Sequence, residues 1–307
     1  MAGGLAIGWG LLPMRQRLTP AEPLPPQAGT HAFTGWVRIG EDDGIWLVCP
    51  KTEMGQGVHT GLAMLLAEEL GVPLERVAIA PAPVDAIYGN VASVVDSLAF
   101  LPDDDSLLRR VSTHLVGKLM REAAPMLTGG STSIKDLWVP LRLAAATARQ
   151  MLVAEAAARW AVPAGEVTVS DGRLQHTASG RSLRLGEVAA AAAARPLPSE
   201  VPTTPPAQWR LIGRPLPRID AAALGNGRAA FGIDVRRPGQ KYAALALPPG
   251  LTGRLRAIDP ASEQAVKARP GVRAIVSFEP PEAGGPGGVA VVADSTWQAM
   301  QAAQALV

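Results

Sequence analysis

Apolar and polar residues alternate through Trp36, Val37, Arg38 and Ile39, break at Asp42, Asp43 and Gly44, and return as the apolar run 45–48. An alternating segment and an apolar run on either side of an Asp-Gly turn predict a β-hairpin. Beyond it the period changes. Leu62, Leu65, Leu66 and Leu70 share one face of a helix, which Gly71 stops and Pro73 leads away from. Residues 77–80 form a short strand candidate. Leu108, Val111, Leu115 and Leu119 mark a second helix over 106–122, with Ser106 as N-cap and Pro125 beyond its end. An alanine-rich pattern predicts a third helix over 141–160, interrupted early by Pro140. Residues 167–174, turning at Asp171 and Gly172, read as another small hairpin, and a short helix over 186–194 follows. The remainder gives strand candidates at 232–235, 242–245, 273–278 and 288–292, and helices over 262–268 and 295–306. Strands and helices mixed in this order predict an α+β fold.

Two proline-rich stretches divide the chain. Residues 13–30 hold five prolines and read as a semi-extended spacer; residues 195–208 are proline-rich and polar, a linker. The expected organisation is therefore a leader remnant and spacer over 1–30, a first domain over 31–194, a linker over 195–210 and a second domain over 211–307. Residues 3–12 are apolar and glycine-rich. They fall well short of the ~20 residues of a spanning helix and are similar to the apolar stretch of an export signal. A leader remnant is preferred over a shallow membrane contact or a free arm.

Composition removes several classes. The formal charge is +2, with scattered Lys and Arg and few aromatics, so nucleic acid is not an expected partner. A single cysteine, Cys49, leaves neither a disulfide framework nor a cysteine-held iron–sulfur cluster within this chain. It ends an apolar run and reads as a core thiol. The four histidines lack metal-ligand spacing. Glu68 and Glu69 fall on the first helix and are read as facing water. Trp46, Trp138, Trp160 and Trp297 lie in apolar patterns and are read as core.

Two loops carry the candidate chemistry. Each is rich in glycine and opens a helix: residues 53–60 and residues 128–133. Glycine lets backbone approach a ligand closely, and the helix start offers unpaired N–H groups with a partial positive charge. Such loops suit phosphate or pyrophosphate. Gln56 adds an amide, Ser131, Thr132 and Ser133 add hydroxyls, and His59 stands beside the first loop, as a ligand contact or a simple cap. Neither G-x-G-x-x-G nor G-K-[ST] occurs, so an ordinary nucleotide motif is missing.

These residues also match a known pattern. Pro50, Lys51, Thr52, Glu53, Met54, Gly55, Gln56, Gly57, Val58, His59 and Thr60, continuing to Pro73, resemble a segment of the molybdenum hydroxylases, the xanthine dehydrogenase and aldehyde oxidase family. The nearest branch is similar to the large subunit of isoquinoline 1-oxidoreductase and membrane-bound aldehyde dehydrogenase. The segment from Thr128 to Asp136 resembles that branch's second cofactor loop. Residues 212–235 and 289–297 resemble the start and finish of its small α/β hammerhead domain. The resemblance covers 33–307.

The resemblance implies a partial molybdopterin-binding domain followed by a hammerhead domain. It implies molybdopterin, as the cytosine dinucleotide, bound by Gly55, Gln56, Gly57, Thr60, Gly129, Gly130, Ser131, Thr132 and Ser133. No residue here matches the family's catalytic glutamate, so the base, and the remaining half of the cofactor site, are expected on another chain. The expected assembly adds a 2Fe-2S ferredoxin-like subunit and a membrane-bound cytochrome c carrying haem c, on the periplasmic side of the cytoplasmic membrane. The expected reaction oxidises aldehydes to carboxylic acids with water as oxygen source. The alternatives are N-heteroaromatic hydroxylation, a truncated relic or interaction module that binds no cofactor, and a phosphate- or nucleotide-binding protein. The chain is expected to be the N-terminal half of the large subunit.

Overall fold

A computed structural model describes residues 16–101, 103–250, 253–279 and 284–307. The apolar run 3–12 lies outside these residues, as do Leu251 and Thr252 of the proline-glycine loop near 250. The chain forms two compact units, meeting at Gly227 and Arg228.

The first unit is built on a four-stranded sheet of order β1–β2–β3–β4: β1 (Thr30–Ala32), β2 (Val37–Gly40), β3 (Ile45–Cys49) and β4 (Val77–Pro81). The expected hairpin is β2–β3, paired antiparallel with Val37 opposite Leu47. β4 joins β3 in parallel, with Ile45 opposite Val77. A parallel neighbour needs a crossover, which helix α1 (Val58–Leu70) supplies, stopped by Gly71 in the left-handed conformation. Leu62, Leu66 and Leu70 are buried against Leu137, Leu141, Ala145 and Leu152 in one core with Val37, Ile39, Ile45 and Leu47 of the sheet. Each such large side chain contributes about 1.5–3 kcal/mol when fully buried.

Helix α2 (Leu107–Ala123) has Ser106 as its cap, the hydroxyl accepting from the Arg109 amide. Helix α3 (Ser133–Trp160) begins directly after the second glycine loop and runs through Pro140. Proline removes the N–H that would bond the carbonyl four residues back. That carbonyl, of Asp136, instead accepts from the Arg17 guanidinium at 3.2 Å. A three-stranded sheet, β5 (Val167–Ser170), β6 (Arg173–His176) and β7 (Arg181–Arg184), and helix α4 (Leu185–Ala193) complete the unit.

Two expected spacers prove to be fixed parts of this unit. In the stretch 16–30, Leu18 is buried and Arg17 donates to the carbonyls of Ile87 and Gly89. In the stretch 195–212, the carboxylates of Glu68 and Glu69 do the fastening. Glu68 accepts from the amides of Arg210, Leu211 and Ile212, and Glu69 accepts from the amide and hydroxyl of Thr204 while pairing with Arg142 at 2.7 Å. Both glutamates are therefore interior, not solvent-facing. The division between units falls at 227, beyond the expected linker, because these carboxylates hold the chain to α1.

The second unit is an antiparallel sheet of order β8–β10–β9, formed by β8 (Tyr242–Ala246), β9 (Val272–Phe278) and β10 (Gly288–Ala293). Helices α5 (Pro260–Lys267) and α6 (Thr296–Gln304) accompany it. Its core is small: Val266, Val291, Ala302 and Ala303, with Ala244, Val272 and Ile275 packed on them. Residues 232–234, read as a strand, form a single 3-10 turn. Trp297, read as core, is exposed on α6.

Candidate functional site

The first glycine loop leaves the C-terminal end of β3 and enters α1, so it stands at the end of a parallel strand, where open α/β units place their ligands. The second leaves α2 and enters α3. The fold brings the two together. The Thr52 amide donates to the Thr128 hydroxyl at 2.9 Å, and the Lys51 ammonium donates to the Leu127 carbonyl at 3.2 Å. The first turns of both helices are neighbours: a Cβ added to Gly61 would stand 3.1 Å from the Ile134 side chain. Two positive helix ends thus lie side by side.

Beneath the loops is a buried polar cluster. Asp136 accepts from the amides of Val91 and Ala92 through Oδ1, while Oδ2 lies 3.0 Å from Arg17 and 3.9 Å from the fully buried Lys51 side chain. Burial pushes the Lys51 ammonium below its ordinary value; Asp136 pulls it back up and Arg17 pushes it further down. Asn90 donates to the Leu127 carbonyl and the Thr132 hydroxyl, which in turn donates to the Gly129 carbonyl. These groups fix the loops from below. Lys51 and Asp136 stand within or beside the glycine motifs, which is their only local signal. Arg17 and Asn90 carried none, since each acts across more than thirty residues.

The sequence-predicted residues divide into two groups. Gly55, Gln56, Gly130 and Ser131 are exposed, and Gly57, Gly129 and Ser133 are half-buried. Thr60 and Thr132 turn inward. The Thr60 hydroxyl accepts from the Ile219 amide at 3.1 Å, and Thr132 braces the second loop as described. Gln56 is used within its own loop: its amide nitrogen donates to the Thr52 carbonyl and its oxygen accepts from the Met54 amide. His59 donates from Nε2 to the Lys51 carbonyl, also an internal tie. Cys49 is buried, and burial pushes its thiol up.

The helix starts differ. No side chain caps α3, and among the described residues the amides of Ser133, Ile134 and Lys135 take no partner. At α1, the Glu53 carboxylate accepts from the amides of Gly55, Gly57 and His59 at 2.9, 2.9 and 3.1 Å. Burial pushes Glu53 up, but these amides, with Arg218 nearby, hold it below the usual glutamate value.

Whether this arrangement suits a phosphate-bearing ligand is tested by the glycines. Gly55, Gly57 and Gly130 have φ of 97°, 79° and 62°, which the backbone alone explains. Gly129 has no such φ, and a Cβ there would meet only Leu127 Cδ1, at 3.8 Å. Nothing in the chain requires glycine at 129, whereas a ligand drawn close to the backbone would. Open amides at α3 and uncrowded glycines above both loops fit a large anionic cofactor. Among the described residues no group of three or more His, Cys, Asp or Glu is arranged to hold a metal ion directly.

A second polar line resembles a catalytic triad but is structural. Ser179 Oγ, His176 Nδ1, His176 Nε2 and Glu166 Oε2 line up at 2.6 and 2.9 Å. The serine is three residues from the histidine in the β6–β7 turn and the glutamate faces β6 from the start of β5, so the line fastens one small sheet.

The chain is thus an α+β protein in which two glycine-rich loops meet at adjacent helix starts. A family model described as Molybdopterin cofactor-binding domain matches residues 2–95. The beta subunit of isoquinoline 1-oxidoreductase from Brevundimonas diminuta is 29% identical over 84% of this chain and 32% of its own. Membrane-bound aldehyde dehydrogenase [pyrroloquinoline-quinone] from Gluconacetobacter polyoxogenes is 25% identical over 100% of this chain and 35% of its own. The B subunit of nicotinate dehydrogenase from Pseudomonas putida is 24% identical over 97% and 22%. These similarities, at modest identity, fit the molybdenum hydroxylase family. The chain spans about a third or less of the length of these relatives, not half.

Proposed function

We propose that this chain forms one part of the pterin cradle of a multi-subunit molybdenum hydroxylase. The observation that carries the reading is the meeting of the two glycine loops at adjacent helix starts, with Thr52 bonded to Thr128. On this reading the amides of Ser133, Ile134 and Lys135 hold phosphate oxygens of a molybdopterin cytosine dinucleotide. Gly55, Gly57, Gly129 and Gly130 let it lie against backbone, and the Ser131 and Ser133 hydroxyls orient it. Thr60, Thr132 and Gln56 shape the loops from within. Residues 228–307 form the family's hammerhead domain.

When bound, the molybdenum-pterin supplies two-electron oxidation of a carbon centre with water as the oxygen source, an aldehyde and water giving a carboxylic acid, two protons and two electrons. The first two relatives, named for isoquinoline and aldehyde oxidation, support an N-heteroaromatic ring or an aldehyde as substrate. Side-by-side rate measurements with isoquinoline and a simple aldehyde separate the two. The electrons require acceptors, and Cys49, alone and buried, cannot hold a cluster. We assign that role to a 2Fe-2S subunit and a haem c subunit, and the catalytic base to a further polypeptide segment. A periplasmic site at the membrane is part of the same proposal, supported by the relative named membrane-bound. Among the described residues no helix is long and apolar enough to cross a membrane.

A covering partner is supported by α2. Its apolar stripe is exposed at Leu108, Val111, Leu115 and Leu119. A contiguous apolar stripe of this kind marks an interaction site. Replacing Leu115 and Leu119 by glutamate is expected to leave the isolated chain's unfolding within about 0.5 kcal/mol, as for exposed positions, while abolishing co-purification of the other subunits. Intact assembly in this variant would remove α2 from the interface.

The decisive experiment measures molybdenum, pterin and quinone mass in the assembled enzyme for the wild type and Gly129→Leu. The wild type is expected to carry molybdenum and pterin, and no quinone. Because position 129 is uncrowded within the chain, the leucine variant is expected to unfold like the wild type yet carry no pterin. Full loading in the variant would displace the cofactor from the second loop. Absence of pterin from the wild-type assembly would favour the non-catalytic relic.

A further inference from the structure

We propose that Glu53 is the positioning residue of the first cofactor loop, supplying from within the chain the negative charge around which its backbone folds; this rests on the cradle reading above. The carboxylate receives three amides, from Gly55, Gly57 and His59, two of them at positive-φ glycines. Its side chain is only 15% exposed, and Arg218 lies 3.5 Å away. Arg218 also donates to the Gly55 carbonyl at 2.9 Å, so one ion pair, carboxylate and guanidinium together, holds the loop. Asp220 accepts from the same guanidinium at 2.6 Å, which fixes its direction.

Two consequences follow. A loop held in shape before its ligand arrives loses less conformational freedom on binding. A negative charge already seated at the start of α1 also repels a second anion there. The cofactor's phosphates are thereby directed to the start of α3, whose amides are open, and the first loop is left to present glycine backbone. Glu53→Gln keeps the size of the side chain but not its charge. It offers one acceptor oxygen to three amides and turns its own NH2 toward donors.

The test uses Glu53→Gln in the full chain and in the assembled enzyme, with two readouts. Amide exchange followed by mass spectrometry in the ligand-free chain is expected to quicken about tenfold or more at Gly55, Gly57 and His59, while the Leu62 to Leu70 part of α1 is unchanged. Pterin content of the assembled enzyme is expected to fall about fivefold or more, because the loop must then be ordered by the ligand itself. Wild-type exchange in the variant loop would overturn the proposal, as would faster exchange with full pterin content. Should the wild type carry no pterin, the cradle reading fails, while a wild-type-like exchange rate would still refute the role of Glu53 independently.

Discussion

Asp136→Ala is expected to destabilise the first unit by about 3–5 kcal/mol, the range for removing one partner of a buried ion pair. The carboxylate faces two cations, Arg17 and Lys51, whose side chains are 10% and 0% exposed. Without it both remain buried and uncompensated, and the amides of Val91 and Ala92 lose their acceptor. Against a total of about 5–15 kcal/mol for a domain, such a loss removes much of the folded population. Denaturant unfolding monitored by tryptophan fluorescence measures it, through a lowered midpoint at constant slope. Asp136→Asn retains an acceptor oxygen and should fall between wild type and alanine. A shift of less than about 1 kcal/mol for the alanine variant would mean that water already solvates Lys51. The cluster would then not be the floor of the site.

Glu69→Ala should have an effect of the same order, about 3–5 kcal/mol, with a different local signature. Its side chain is fully buried and pairs with Arg142 at 2.7 Å and Arg149 at 3.7 Å. Burial pushes the Arg149 guanidinium down, and Glu69 is the group that raises it again. Glu69 also holds the amide and hydroxyl of Thr204. Its removal strands two arginines and releases the segment that follows α4. Limited proteolysis should then cut within 195–210 far sooner than in the wild type, and before global unfolding. Unchanged cleavage there would show that Glu68, with its three amides from Arg210 to Ile212, suffices to hold the segment.

The two sites explain why a proline-rich stretch is a poor guide to a boundary. Proline content describes how a segment moves when nothing touches it. Here the attachment comes from side chains distant in sequence: Glu68 and Glu69 for 202–212, and Arg17 reaching Ile87, Gly89 and Asp136 for 16–30. The same limit explains the stripe on α2. A leucine period shows that a helix has an apolar face, but not that this chain provides what covers it.

The features legible in the residues are local and periodic. The β2–β3 hairpin, α1 with its Gly71 stop, the Ser106 cap, and the two glycine loops opening helices are all readable because each depends on neighbours within a few residues. Only packing set β4 parallel to β3, brought the two loops together, and turned Thr60 and Thr132 inward while leaving Gly130 and Ser131 exposed. It also decided that Glu53 takes the Gly57 and His59 amides at the start of α1, while no side chain caps α3. The physical reason is that hydrogen bonds and ion pairs between distant segments have no period. They exist only once packing of α1 on α3 has brought their partners within reach.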